Sequence, residues 1–90
     1  MQIHWSAKAF AELKSLHTAL AGAALANDIV TRLANAPDAL LLQPRQGQRL
    51  KGYSGREIRR LRLGRYALDY GIQRDRVDVL HVGLDPEAPQ

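Results

Sequence analysis

After a short alternating stretch at residues 2–5, the main change of hydrophobic period in this chain comes at Glu57. Before that point apolar residues recur every three to four positions; after it they recur every second position. A period near 3.6 builds a helix with one apolar stripe, and a period of two builds a strand with one apolar face. The chain therefore has to stack helices on a sheet. Phe10, Leu13, Leu16, His17 and Leu20 share one helical stripe, with Lys8, Glu12 and Lys14 off it. Ser6 stands before this stripe as an N-cap, and Gly22 predicts its end. Ala23 to Asn35 repeats the pattern, with Leu25, Ile29, Val30 and Leu33 on one side and Asn35-Ala36-Pro37 as the predicted stop. Two amphipathic helices with a short link form a hairpin that needs a sheet to cover its apolar faces.

The strands flank this hairpin. Ile3 and Trp5 alternate with Gln2 and His4. Residues 38–55, punctuated by Pro44, Gly47, Gly52 and Gly55, read as turns. Strands 57–63 and 66–72 follow, joined by a tight hairpin at Leu63-Gly64-Arg65-Tyr66, and Val77 to Val82 is a further β-branched run. On the first of these, Ile58, Arg60 and Arg62 share one side; Leu61 and Leu63 point the other way, toward the helices. Tyr66, Leu68, Tyr70 and Ile72 share a face, which makes both tyrosines core residues. The expected class is α/β of the α+β type, ordered β-α-α-β-β-β. Its mainly antiparallel sheet carries the two-helix hairpin on one face. Residues 1–84 are expected to form a single domain, and residues 85–90, with two prolines, a disordered tail.

Charge is concentrated. Residues 45–65 hold eight basic side chains (Arg45, Arg49, Lys51, Arg56, Arg59, Arg60, Arg62 and Arg65) against one acid, Glu57, a net of +7. Residues 1–44 are balanced, and residues 66–90 carry two basic and five acidic side chains. A local patch of this density attracts polyanions. The absence of cysteine excludes disulfides and thiolate catalysis. The three histidines are scattered and carboxylates do not cluster, so neither a metal nor a cofactor is expected. The longest apolar run, Ala39 to Leu42, is too short to cross a bilayer, and the first residues lack the basic-then-apolar signature of a secretory leader. The expected location is the cytoplasm, with no membrane partner.

An ordered set of short stretches resembles the RelE/ParE superfamily of bacterial toxin–antitoxin toxins. These are Ile3-His4-Trp5-Ser6 with Ala9, Leu13 and Leu16; Leu50-Lys51-Gly52 and Gly55; Arg60 through Tyr70; and Val77 through Gly83. The resemblance implies a growth-inhibiting toxin, of the kind associated with plasmid stabilisation. It also implies a tightly bound antitoxin in a hetero-oligomer. Toxins of that superfamily act on mRNA in the ribosome or on DNA gyrase; the expected action is on translation, by ribosome-associated mRNA cleavage through the basic sheet face, with a gyrase-directed toxin or a member that only binds its antitoxin as the alternatives.

RNA cleavage by 2′-hydroxyl attack needs a proton acceptor, a proton donor and cations for the phosphorane charge. RelE-like enzymes supply these from basic strand residues, an arginine after the hairpin tyrosine, and an arginine and a tyrosine near the C-terminus. In this chain Arg60 matches one strand position, and the other falls on Ile58. Ala67 follows Tyr66, and Leu84-Asp85-Pro86-Glu87 brings neither arginine nor tyrosine. Candidate catalytic residues are thus Arg60, Arg62 and His81, the last because imidazole titrates near neutrality; its alternative is an ordinary strand histidine. Enzyme activity is left undecided. Candidate nucleic-acid or target-binding residues are Arg45, Arg49, Lys51, Tyr53, Arg56, Arg59 and Arg65, with Tyr53 placed to stack on a base. His17 reads as packing, His4 as surface, and Trp5 as either core or antitoxin contact.

Overall fold

The computed structural model describes residues 1–20 and 26–88. Its elements are β1 (Gln2–Trp5), α1 (Ala7–Ala19), α2 (Ala26–Leu40), β2 (Gln48–Arg49), β3 (Glu57–Leu63), β4 (Tyr66–Ile72) and β5 (Arg76–Leu84). Among the described residues the strands form one sheet in the order β1-β5-β4-β3-β2. β1 runs parallel to β5, and the other neighbours are antiparallel. Both helices lie on one face, as the two hydrophobic periods require.

The entry into α1 is fixed locally. Trp5 pairs with Val79, and the Ser6 N–H then donates to the Val79 carbonyl at 3.0 Å. The Ser6 Oγ accepts from the Ala9 N–H at 3.0 Å, the expected cap. Ala9, Leu33, Leu40, Leu68, Tyr70, Val77, Val79 and Val82 form the buried core, with Trp5, Leu13, Leu16, Leu61, Leu63 and Tyr66 packed against its margin. In the register of β4 on β5, Tyr70 opposes Val79 and Asp69 opposes His81, so Leu80 is the extra residue of a bulge. That bulge lets Val79 and Val82, three positions apart, both face the core.

Three expectations change. α2 does not stop at Asn35; it continues through Pro37 to Leu40. Pro37 lacks the N–H that would bond the Leu33 carbonyl, a defect of about 3 kcal/mol in a helix interior. Pro37 and Leu40 are both fully buried, and burying one leucine returns roughly 1.5–3 kcal/mol, so packing carries the last turn. The stripe of α1 is turned by one residue: the small Ala9 faces the sheet, while Phe10, 54% exposed, and His17 face solvent. Lys14 lies over the Phe10 ring at 5.8 Å from its centroid. The turn region 38–55 contains the two-residue β2, which pairing with Arg59 and Arg60 defines and no alternation announces. Gly22, Ala23 and Leu25, which entered the predicted helix boundaries, lie outside the described residues, as do Pro89 and Gln90.

Candidate arginine face

β3 and β4 present Ile58, Arg60, Arg62, Ala67, Asp69 and Gly71 on the sheet face away from the helices. The hairpin at Gly64, where φ is +62°, sets Leu63 opposite Tyr66 and so Arg60 opposite Asp69. Arg60 Nε donates to Asp69 Oδ1 at 2.7 Å and Nη2 donates to Oδ2 at 3.1 Å, a two-pronged pair. The Asp69 hydrogen bond raises the Arg60 pKa further above its already high value.

Arg62 is engaged on all sides. Its Nε donates to Asp85 Oδ2 at 2.7 Å, Nη1 to Gln48 Oε1, and Nη2 to Glu87 Oε2. Residues 85–88, expected as part of a loose tail, form a turn against this arginine. The Asp85 N–H donates to the Arg65 carbonyl at 2.8 Å, and Asp85 Oδ1 accepts from the Glu87 N–H at 3.0 Å. The Glu87 amide first, and Arg62 after it, hold the Asp85 carboxyl below its ordinary pKa. The face that reads as a cation cluster in sequence thus sets two guanidinium groups against three carboxylates.

Arg59 lies on the helix side of β3, under the segment that follows α2. Its Nε donates to Glu57 Oε2 at 2.7 Å and its Nη1 to the Gly47 carbonyl at 2.7 Å. Arg45 closes on the same Glu57 carboxylate at 2.9 Å. The Arg59 hydrogen bond, with Arg45 beside it, keeps the Glu57 carboxyl below its usual range. Tyr70 pins this segment from beneath: its hydroxyl donates to the Pro44 carbonyl at 2.7 Å and accepts from the Gly47 N–H at 2.9 Å. A Cβ on Gly47 would stand 2.8 Å from both the Tyr70 hydroxyl and the Arg60 carbonyl, so only glycine fits there.

His81 is separate from this network. Its Nδ1 stands 2.6 Å from Glu12 Oε2, and Glu12 Oε1 accepts the Val82 N–H at 3.1 Å. Glu12 thereby closes the β5 edge just beyond the end of β1. Asp69 is the cross-strand neighbour of His81, but its carboxylate is held by Arg60. The ring therefore faces Glu12 on α1 and not the Arg60–Asp69 pair.

The remaining sites divide. Arg49 at the end of β2, and Lys51 and Tyr53 on the connection to β3, are exposed, with Gly52 at φ +92° and Gly55 at φ +75°. Arg56 and Arg65 are exposed at opposite ends of β3. Among the described residues none of Arg49, Lys51, Arg56 and Arg65 makes an ion pair, so half of the basic cluster is free and half is spent internally. Sequence reading missed Asp69, Asp85, Glu87, Gln48 and Glu12. Asp69 was within reach, because the predicted hairpin already places it across from Arg60; the others depend on how loops fold back.

A guanidinium does not lose its proton in proteins and cannot act as a base. A phosphate arriving at Arg60 or Arg62 would have to displace a carboxylate. Neither Ala67, which is buried, nor residues 84–88 add a proton donor. The arrangement joins sheet, tail and loop through Arg60 and Arg62.

No helix among the described residues is long and apolar enough to cross a membrane. The fold is similar to a solved structure titled "Chromosomal ParDE TA system from P. aeruginosa", with a TM-score of 0.73 at 18% identity, covering 93% of this chain and 95% of that one. No curated protein sequence matches the chain. The family model described as the ParE toxin of the type II toxin–antitoxin system parDE matches residues 3–87. With nearly its whole length matched in sequence and the same fold in three dimensions, the chain belongs to the ParE toxin family of type II toxin–antitoxin systems.

Proposed function

We propose that this protein is a cytoplasmic toxin that arrests growth by binding DNA gyrase, without cleaving RNA, and that an antitoxin holds it in check. The observation that carries this reading is the state of Arg60 and Arg62. Arg60 is paired with Asp69, and Arg62 with Asp85 and Glu87, so the residues that a ribonuclease would aim at a scissile phosphate act as structural ties. Inhibition by docking needs a surface and no acid–base pair. Arg49, Lys51 and Tyr53 supply it at the end of β2 and on the exposed loop that follows, with a free charge and an aromatic ring close together. An acidic segment of the antitoxin would complement the same cations, and such complementarity speeds association and selects the partner.

The test is induced expression of the chain with and without the neighbouring small gene, followed by two assays on the arrested cells. Arrest relieved by the neighbour, together with inhibition of supercoiling by purified gyrase and intact mRNA in primer extension, is the expected result. Ribosome-dependent cuts in mRNA with normal supercoiling would replace gyrase by the ribosome as the target. Normal growth on induction would leave a chain that only binds its antitoxin.

A further inference from the structure

A second pair of cations, Arg56 and Arg74, lies at the other end of the sheet face. Where β3 begins and β4 ends, Ile58 opposes Gly71. Beside this pair lies a cavity of about 320 Å³, walled by Arg56 just before β3, by Ile58 on β3, and by Gln73 and Arg74 from the β4–β5 turn. A Cβ placed on Gly71 would lie 3.1 Å from Ile58 Cδ1, 3.6 Å from Leu80 Cδ1 and 3.7 Å from Arg56 Nη2. The missing side chain at Gly71 therefore leaves room for the Ile58 side chain and for the Arg56 guanidinium beside it, and the hollow they border is lined mainly by polar groups.

The charges around this hollow are one-sided. Glu57 also lines it, but that carboxylate is held by Arg59 at 2.7 Å and Arg45 at 2.9 Å. Asp78 behind the turn is likewise engaged: Gln73 Nε2 donates to its Oδ2 at 2.9 Å, and Arg76 Nε stands 3.0 Å from its Oδ1. Among the described residues Arg56 and Arg74 have no carboxylate partner. Arg56 and Arg74 therefore line a hollow whose one lining acid, Glu57, is already paired; Asp75, next to Arg74 in the turn, does not line it.

We infer that Arg56 and Arg74, beside Gly71, form a binding pocket for a phosphate monoester of sugar or mononucleotide size. A tetrahedral phosphate offers several acceptor oxygens to two guanidinium forks, a match that a planar carboxylate fills less completely. Ile58 and Ile72, which also line the cavity, give the attached group an apolar contact beside the two cations. The cavity is at the lower end of small-molecule pockets, which run from roughly 300 to 1,000 Å³; it admits a phosphate and one ring and excludes an extended polymer. The shared chemistry fits a free sugar phosphate or the terminal phosphate of an oligonucleotide. The pocket is independent of gyrase inhibition and stands or falls without it.

The test is a titration of the isotopically labelled full chain, read at the backbone amides of Gly55, Gly71 and Gln73. The probes are ribose 5-phosphate, ribose, and one short single-stranded oligonucleotide with and without a 5′-phosphate. Ribose 5-phosphate is expected to saturate these amides, and ribose to leave them unmoved. Arg56→Gln and Arg74→Gln should each weaken binding roughly tenfold, the loss of one charge-assisted pair, while Arg49→Gln with Lys51→Gln leaves it unchanged. Saturation by the sugar phosphate alone identifies a free metabolite as the ligand; saturation also by the 5′-phosphorylated oligonucleotide identifies a nucleic-acid end. Equal binding of the oligonucleotide without its phosphate overturns the pocket in favour of general polyanion attraction. So does the absence of saturable shifts at Gly71 and Gln73, or equal weakening by the Arg49 and Lys51 changes.

Discussion

Replacing Arg60 by alanine should unfold this protein more readily without touching a catalytic step. The Arg60 and Asp69 side chains are 15% and 12% exposed, and the pair is two-pronged. Exposed ion pairs are worth about 0–1 kcal/mol, whereas removing one partner of a fully buried pair costs about 3–5 kcal/mol. A pair this shielded falls between, so Arg60→Ala, which strands the Asp69 carboxylate in the middle of the sheet face, should cost about 2–3 kcal/mol. For a domain of this size that lowers Tm by roughly 8–24 °C. Adding Asp69→Ala removes the stranded charge and should recover about half of the loss. Thermal and urea denaturation of both single variants and the double variant yield the coupling energy. Growth arrest on induction supplies the second readout: the double variant should still arrest growth. An Arg60→Ala protein of unchanged Tm that fails to arrest growth would refute this reasoning and make Arg60 a catalytic cation.

Two further predictions concern the ties around β3. Tyr70→Phe removes one hydroxyl that serves both the Pro44 carbonyl and the buried Gly47 N–H, so it should cost about 2–3 kcal/mol by denaturant unfolding. Burial raises the Tyr70 pKa above its ordinary 10.0. A raised folded-state value means that its contribution is complete below pH 10.0 and is lost as pH climbs through the folded-state value; in Tyr70→Phe this alkaline loss should be smaller. Glu57 and Asp85 have the opposite sign, being lowered from ordinary values of 4.5 and 3.8. Their contributions are complete at neutral pH and fade as pH falls below those values, so an acid titration of unfolding should show a shallower decline in Arg59→Gln and in Arg62→Gln than in the parent chain.

Much of the architecture was legible in residue order because periodicity is a local property. The alternation of Tyr66, Leu68, Tyr70 and Ile72 names the core face of β4 whatever lies against it, and Leu63-Gly64-Arg65-Tyr66 specifies both the hairpin and its register. α2 was cut short at Asn35 because a proline is a reliable local signal to stop, and only the core site awaiting Leu40 outweighs it. The turned stripe of α1 has the same origin. Phe10 and Ala9 both fit a helical stripe, and the choice between them belongs to the sheet, which packs closest against the smaller side chain.

The candidate site divides along the same line. The identity of the cations, their crowding between Arg45 and Arg65, and the Arg60–Asp69 register are contained in the sequence, because strand pairing across a tight turn is short-range. The sequence therefore determined a helix hairpin on a sheet, a family resemblance, and a basic strand. Whether that strand offers its charge or spends it was decided by tertiary structure alone. Asp85 and Glu87 reach Arg62 from more than twenty positions away, and Glu57 binds Arg45 across twelve. Ion pairs of that separation depend on where loops and termini settle after the core has formed. A count of like charges along the chain cannot see them.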